Sequence, residues 1–218
     1  MTPKVPFFPP WFDQLIRLAG LLVVGGLVYV VVLVLYATSP VTTHVGYQPE
    51  QPVPYSHKLH VGELGMDCRY CHNTVEQAAF AAVPPTQTCM NCHSSVRTES
   101  AKLAPVRESY ATGKPVEWIK VHDLPEFVYF NHSAHVNRGI GCVSCHGRID
   151  QTEVVHQVEM LSMGWCLECH RNPEQHLRPR DKVTDMNWVP EGGQLAVGKA
   201  EKEKYNINPP TDCWACHR

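Results

Sequence analysis

The pentapeptide Cys-x-x-Cys-His occurs five times in this 218-residue chain, and it uses all ten cysteines. The copies are Cys68-Arg69-Tyr70-Cys71-His72, Cys89-Met90-Asn91-Cys92-His93, Cys142-Val143-Ser144-Cys145-His146, Cys166-Leu167-Glu168-Cys169-His170 and Cys213-Trp214-Ala215-Cys216-His217. This is the attachment signature of c-type haem. Two thiols add to the vinyl groups of one porphyrin, and the following histidine reaches its iron as proximal ligand. Structural zinc uses about four ligands per ion, and five pairs do not divide evenly into such sites. Neither zinc nor a disulfide framework gives a reason for a histidine after every pair. The motif arithmetic therefore predicts five covalently bound haems, with His72, His93, His146, His170 and His217 on the irons.

Haem at that density limits the fold. From residue 41 onward, 218 − 40 = 178 residues serve five motifs, about 36 each. The expectation is a mostly α-helical and irregular chain with little β structure, wrapped around its cofactors. Eighteen prolines and fourteen glycines fit short, interrupted helices. The net charge of −2 and the lack of a basic run give no sign of a nucleic-acid partner.

The N-terminus differs in kind. Leu18 to Ala37 is twenty residues without a charge, long enough at about 1.5 Å per residue to cross a bilayer core of roughly 30 Å. Trp11 and Phe12 flank one edge and Tyr36 the other, as interfacial aromatics do. Lys4 and Arg17 precede the span and the first basic residue after it is Lys58, so the positive-inside rule puts residues 1–40 in the cytoplasm and membrane. The apolar run exceeds the roughly 7–15 residues of a signal-peptide core, which favours a retained anchor in the bacterial inner membrane over a cleaved leader. Residues 41–54, with Pro49, Pro52 and Pro54, read as an extended linker. Residues 55–218 then form a periplasmic haem domain.

That domain contains a repeat. Tyr55-Ser56-His57-Lys58-Leu59-His60 precedes the first two motifs, and Phe130-Asn131-His132-Ser133-Ala134-His135 precedes the next two. Both copies read aromatic-x-His-x-x-His followed by two motifs, which predicts dihaem modules at 55–100 and 130–172, with a fifth haem at 211–218. On a helix, histidines at i and i+3 share a face. Hence His57, His60, His132 and His135 are the expected distal ligands. A fifth distal ligand is still needed. Met163 is one candidate, and it would raise the potential relative to histidine; the others are Met160, His156, His176, His122 and His44. His122 is expected to be exposed in a polar segment, 101–129, that joins the modules. Arg69, Arg148, Arg171 and Arg218 are candidate partners for haem propionates. Lys199 to Lys204 reads as a solvated helix face.

The segments YSHKLHVGELGMDCRYCHNTVEQAAFAAVPPTQTCMNCH, FNHSAHVNRGIGCVSCHGRID and MLSMGWCLECHRNPE resemble the membrane-anchored pentahaem cytochrome c subunit of bacterial alternative complex III, a quinol:electron acceptor oxidoreductase. The likeness covers most of the chain, single span included. It implies an electron-transfer subunit that passes electrons from quinol oxidation through five haems to a periplasmic acceptor. It also implies partners: an iron–sulfur/molybdopterin-like subunit, polytopic quinol-binding membrane subunits and a monohaem cytochrome c. Two other expectations compete. An independent anchored multihaem quinol dehydrogenase would oxidise quinol as an isolated chain. A multihaem reductase would need a five-coordinate haem, often in a Cys-x-x-Cys-Lys motif, and no such motif occurs.

Overall fold

The computed structural model describes residues 8–217. Lys4 and Arg218 lie outside them. Two compact units divide at His44 and Val45.

In the first unit, α1 (Pro10–Ala37) begins with proline at N1, where the missing N–H costs nothing. Trp11–Ala37 has a mean hydropathy of 2.9 and none of its residues is buried. By length and composition this helix can cross a membrane, as an anchor or as a signal sequence. Its last carbonyls are satisfied locally: Thr38 Oγ1 donates to Val34 O (2.9 Å) and Ser39 Oγ to Tyr36 O (2.7 Å). A single turn, α2 (Pro40–Thr43), follows.

The second unit is helical and irregular, as expected. Among the described residues it has no strand, only two isolated antiparallel bridges, Val128–His217 and Ile140–Leu177. Its side-chain core is small: Val53, Val106, Val121, Leu177, Val183 and Ile207 are the buried aliphatics among the described residues. Six such side chains cannot by themselves offset the ordering of so much irregular chain.

Residues 45–54 are extended but not free. Gly46 N donates to Gln157 O (2.7 Å), Gln157 N to Tyr47 O (3.1 Å), and Gln51 exchanges two bonds with the Ile119 backbone. The polar segment 101–129 also carries a helix, α5 (Ala104–Thr112), in which Pro105 starts the first turn instead of breaking it. Gly113, at φ 73°, ends that helix in the left-handed region.

The short helices α3 (Cys68–Cys71), α4 (Thr86–His93), α7 (Val143–His146), α8 (Met163–Arg171) and α10 (Cys213–Cys216) carry the five motifs. A six-residue π-helix (Lys58–Glu63) and α6 (His132–Val136) carry the His-x-x-His pairs. The charged helix α9 (Gln194–Lys204) packs on the 3-10 turn Pro173–Gln175. Gly198 allows this, since a Cβ there would strike the Glu174 carbonyl. Glu201 is buried and Lys202 Nζ binds Glu174 Oε2 at 3.1 Å, so one side of the stretch read as solvated is an interface.

Candidate functional site

Each motif is one helical turn or its edge, which sets the two cysteines of a pair on the same side. Three of these turns are capped by the residue before them. Asp67 Oδ1 accepts from Arg69 N (2.8 Å), Ser162 Oγ from Trp165 N (3.3 Å) and Asp212 Oδ1 from Ala215 N (3.2 Å). All ten thiols are unbridged.

Four of the five motif imidazoles are oriented by backbone carbonyls. Nδ1 of His72 meets Ala82 O (2.9 Å), that of His93 Val96 O (3.0 Å), that of His170 Pro210 O (2.6 Å) and that of His217 Phe127 O (3.1 Å). A carbonyl can only accept, so Nδ1 carries the proton and the Nε2 lone pair is left for a metal. This is the support that metal-binding histidines normally have. For His146, burial first and then the nearby imidazoles of His122, His132, His72 and His57 lower the pKa to about 3. Its ring is therefore neutral, the form that can ligate.

The His-x-x-His pairs repeat in detail. Tyr55 stacks on His60 (4.4 Å, 21°) and meets His57 edge-on (4.8 Å, 82°). Phe130 treats His135 (4.5 Å, 31°) and His132 (4.7 Å, 85°) in the same way. His60 Nδ1 donates to Ser56 O (2.9 Å) and His135 Nδ1 to Asn131 O (2.8 Å), four residues back in both cases. The ring centres of His60 and His93 are 6.2 Å apart, and those of His135 and His170 are 6.1 Å apart. Two imidazoles on opposite sides of one metal, each bonded at about 2 Å with its centre roughly 1 Å further back, come to rest roughly 6 Å apart. The residues present thus fit an iron porphyrin held between paired histidines.

The family described as cytochrome c7 and related cytochrome c matches residues 53–110 and 128–218. This chain belongs to that family. It is also 32% identical over 151 residues, 60% of this chain and 71% of the relative, to a menaquinone reductase multihaem cytochrome c subunit from Nitratidesulfovibrio vulgaris. As a multihaem cytochrome c of the c7 family, the protein carries covalent c-type haem, and its business is electron transfer.

Other features of this cytochrome were not apparent from its sequence. His122 is not exposed. It lies edge-on against His146 (4.4 Å, 75°), and its buried Nε2 has no partner among the described residues. At that spacing the two rings are too close to face each other across one iron. His57 Nδ1 is likewise buried without a partner, and burial followed by His72 and His60 lowers its pKa to about 4.

The expected propionate partners Arg69 and Arg148 are held by carboxylates: Arg69 by Asp67 (2.9 Å) and Glu76 (3.2 Å), Arg148 by Asp150 (2.6 Å). The buried guanidinium is Arg178. Its Nη1 donates to Asp185 O (3.0 Å) and Lys182 O (3.3 Å), its carbon lies 5.0 Å from the Trp188 ring centre, and its buried Nε is unpartnered among the described residues. Gly141 leaves space for this group, because a Cβ there would strike it. Nothing local to a motif marks Arg178 in the sequence, since it follows Cys142 by 36 residues.

Met163 and Met160 are 68% and 46% exposed. The fifth motif borders a cavity of about 310 Å³ lined by Phe127, Cys213, Trp214 and His217, with the Phe127 ring 5.9 Å from His217. Neither methionine lines it. Among the described residues, neither His156 nor His176 faces a motif histidine as His60 and His135 do.

Proposed function

We propose that this chain is a five-haem electron wire anchored at the bacterial inner membrane, with residues 45–218 in the periplasm. The observation that carries this reading is the pair of histidine couples, His60/His93 and His135/His170, at the separation of opposite axial ligands. In it, Cys68/Cys71, Cys89/Cys92, Cys142/Cys145, Cys166/Cys169 and Cys213/Cys216 tether the porphyrins. His72, His93, His146, His170 and His217 are the proximal ligands. His60 serves the second haem and His135 the fourth. His57 and His132 serve the first and third, and Met163 is kept as candidate for the fifth.

Bound haem supplies a one-electron iron couple. The chain's residues hold it and set its potential. Each Nδ1–H donated to a carbonyl fixes its imidazole and makes it a stronger donor, which favours the oxidised metal. Arg178, a buried positive charge, works in the opposite sense. Tyr55 and Phe130 lock their histidine pairs by ring packing. No side chain is required to break or form a covalent bond during turnover.

We place the wire in a quinol-oxidising assembly of the alternative complex III kind. Its partners there are an iron–sulfur/molybdopterin-like subunit, polytopic quinol-binding subunits, a monohaem cytochrome c and a periplasmic acceptor. The relative named as a menaquinone reductase subunit favours a second reading, in which electrons run toward the quinone. Pyridine haemochrome analysis is expected to give five haems per chain, and fewer refutes the wire. Redox titration then separates the directions. Haem potentials mostly above that of the membrane quinone support oxidation, and potentials mostly below it support reduction.

A further inference from the structure

Contacts between motifs do not follow their order along the chain. Asn91 Nδ2, in the second motif, donates to Tyr70 Oη, in the first (3.1 Å). Cys142 N, opening the third motif, donates to Val183 O (2.9 Å). Thr184 Oγ1, beside the Val183 carbonyl that receives Cys142 N, also donates to the cap Asp67 (3.0 Å). The segment leading into the third motif joins the segment after the fourth through the Ile140–Leu177 bridge and through Arg178 N, which donates to Gly139 O (2.9 Å). His170 of the fourth motif is oriented by Pro210, just before the fifth.

The join between first and third motifs is reciprocal. Ser133 N, on the second module's histidine helix, donates to Ala78 O, ten residues after Cys68 (3.1 Å). Lys58 N, on the first module's histidine helix, donates to Thr152 O, ten residues after Cys142 (3.0 Å). Lys58 and Ser133 each directly follow the first histidine of their pair. Each module thus lays its histidine helix on the loop after the other's first motif, as a local twofold arrangement requires. His132 uses the seam further, since its Nδ1 reaches Ala79 O (2.9 Å).

Resting on the five-haem reading, we infer that the haems run second–first–third–fourth–fifth, with the seam between first and third at the centre and the second and fifth haems as termini. Each transfer moves one electron from a reduced iron to its oxidised neighbour, with no bond made or broken. Every electron crossing from one terminus to the other passes the seam between the first and third motifs.

The test uses the full-length holoprotein in detergent. Cryo-electron microscopy reads the iron positions. The expected result is the first and third motifs' irons as neighbours and the second's at an end; an iron of the second motif next to that of the third overturns the order. Electron paramagnetic resonance of Cys68→Ser/Cys71→Ser gives an independent reading. With its one neighbour gone, the second haem is expected to lose its spin–spin broadening, about a quarter of the remaining low-spin signal. Broadening kept in full by all four remaining haems overturns the order. A haem count of five with the wrong order refutes this inference alone, whereas a count below five refutes the proposed function itself.

Discussion

Replacing Gly62 by alanine sets two free energies of opposite sign against each other at the point where the modules meet. Gly62 lies in the π-helix that carries His60, and it packs against the backbone of Asp150 in the 3-10 turn Ile149–Gln151 after the third motif. Alanine favours a helical backbone by about 1 kcal/mol over glycine, and Gly62 is not among the residues with positive φ. A Cβ there would nevertheless strike the Asp150 carbonyl oxygen. A carbonyl fixed in a turn cannot swing aside as a side-chain tip can, so the overpacking cost belongs at or above the upper end of about 1–3 kcal/mol. The collision wins, and a net loss of about 2 kcal/mol is expected. For a chain of this size that lowers Tm by about 4–8 °C. The shift also strains the Lys58 N–Thr152 O bond and the seating of His60 opposite His93. Thermal unfolding followed at the haem absorbance and by far-ultraviolet circular dichroism measures the first effect. Resonance of the low-spin haems measures the second, with one of five expected to change. A Gly62→Ala protein as stable as the parent would refute the close approach and, with it, the packing of the first module on the third motif's loop.

Exchanging one distal ligand, His135→Met, is expected to raise the potential of a single haem while the count stays at five; spectroelectrochemical titration checks both. Arg178→Gln removes a buried charge beside the third motif and is expected to lower one midpoint potential, an effect that Arg178→Lys largely restores in the same titration. Asp67→Ala removes a cap and an exposed ion pair and is expected to cost about 1 kcal/mol in denaturant unfolding at neutral pH. The side-chain bond from Arg69 is the largest of the causes that hold the Asp67 carboxyl at about 2. A depressed carboxylate stabilises the fold above its ordinary value near pH 4 and loses that effect as pH falls through its folded value. The gap between parent and variant therefore closes between about pH 4 and pH 2.

Haem attachment was legible because covalent chemistry requires contiguous residues: the thiols and the proximal histidine fall within one turn, so sequence and site coincide. The repeat was legible for the same reason, each aromatic-x-His-x-x-His preceding its motifs at nearly fixed distance. What escaped depends on contacts between distant segments. Periodicity places His57 and His60 on one face, but only packing shows that His60 faces His93. Arg69 and Arg148 lie beside motifs in the sequence, yet nearby carboxylates hold them, and the guanidinium that is buried belongs to Arg178. The burial of His122 is likewise set by His146, in a different segment.

The repeat also explains why motif order and spatial order part company. Two copies of a module that each expose a histidine helix and a loop after the first motif can satisfy both surfaces at once only by exchanging them. The exchange brings the two first motifs together and turns the two second motifs outward. Chain order then becomes 2–1–3–4 in space, with α5 and its flanking segments carrying the chain from one module to the other. The fifth motif has no counterpart in the repeat and joins where the second module leaves an open end, through Pro210 on His170 and the Val128–His217 bridge. The two termini are thereby chemically unlike. In the proposed wire the second haem lies within a copied module, between His60 and His93, whose ring centres are 6.2 Å apart. The fifth is bordered by Phe127 and Trp214, the latter 81% exposed. A wire with different ends can deliver to different partners, which a symmetric four-haem arrangement could not distinguish.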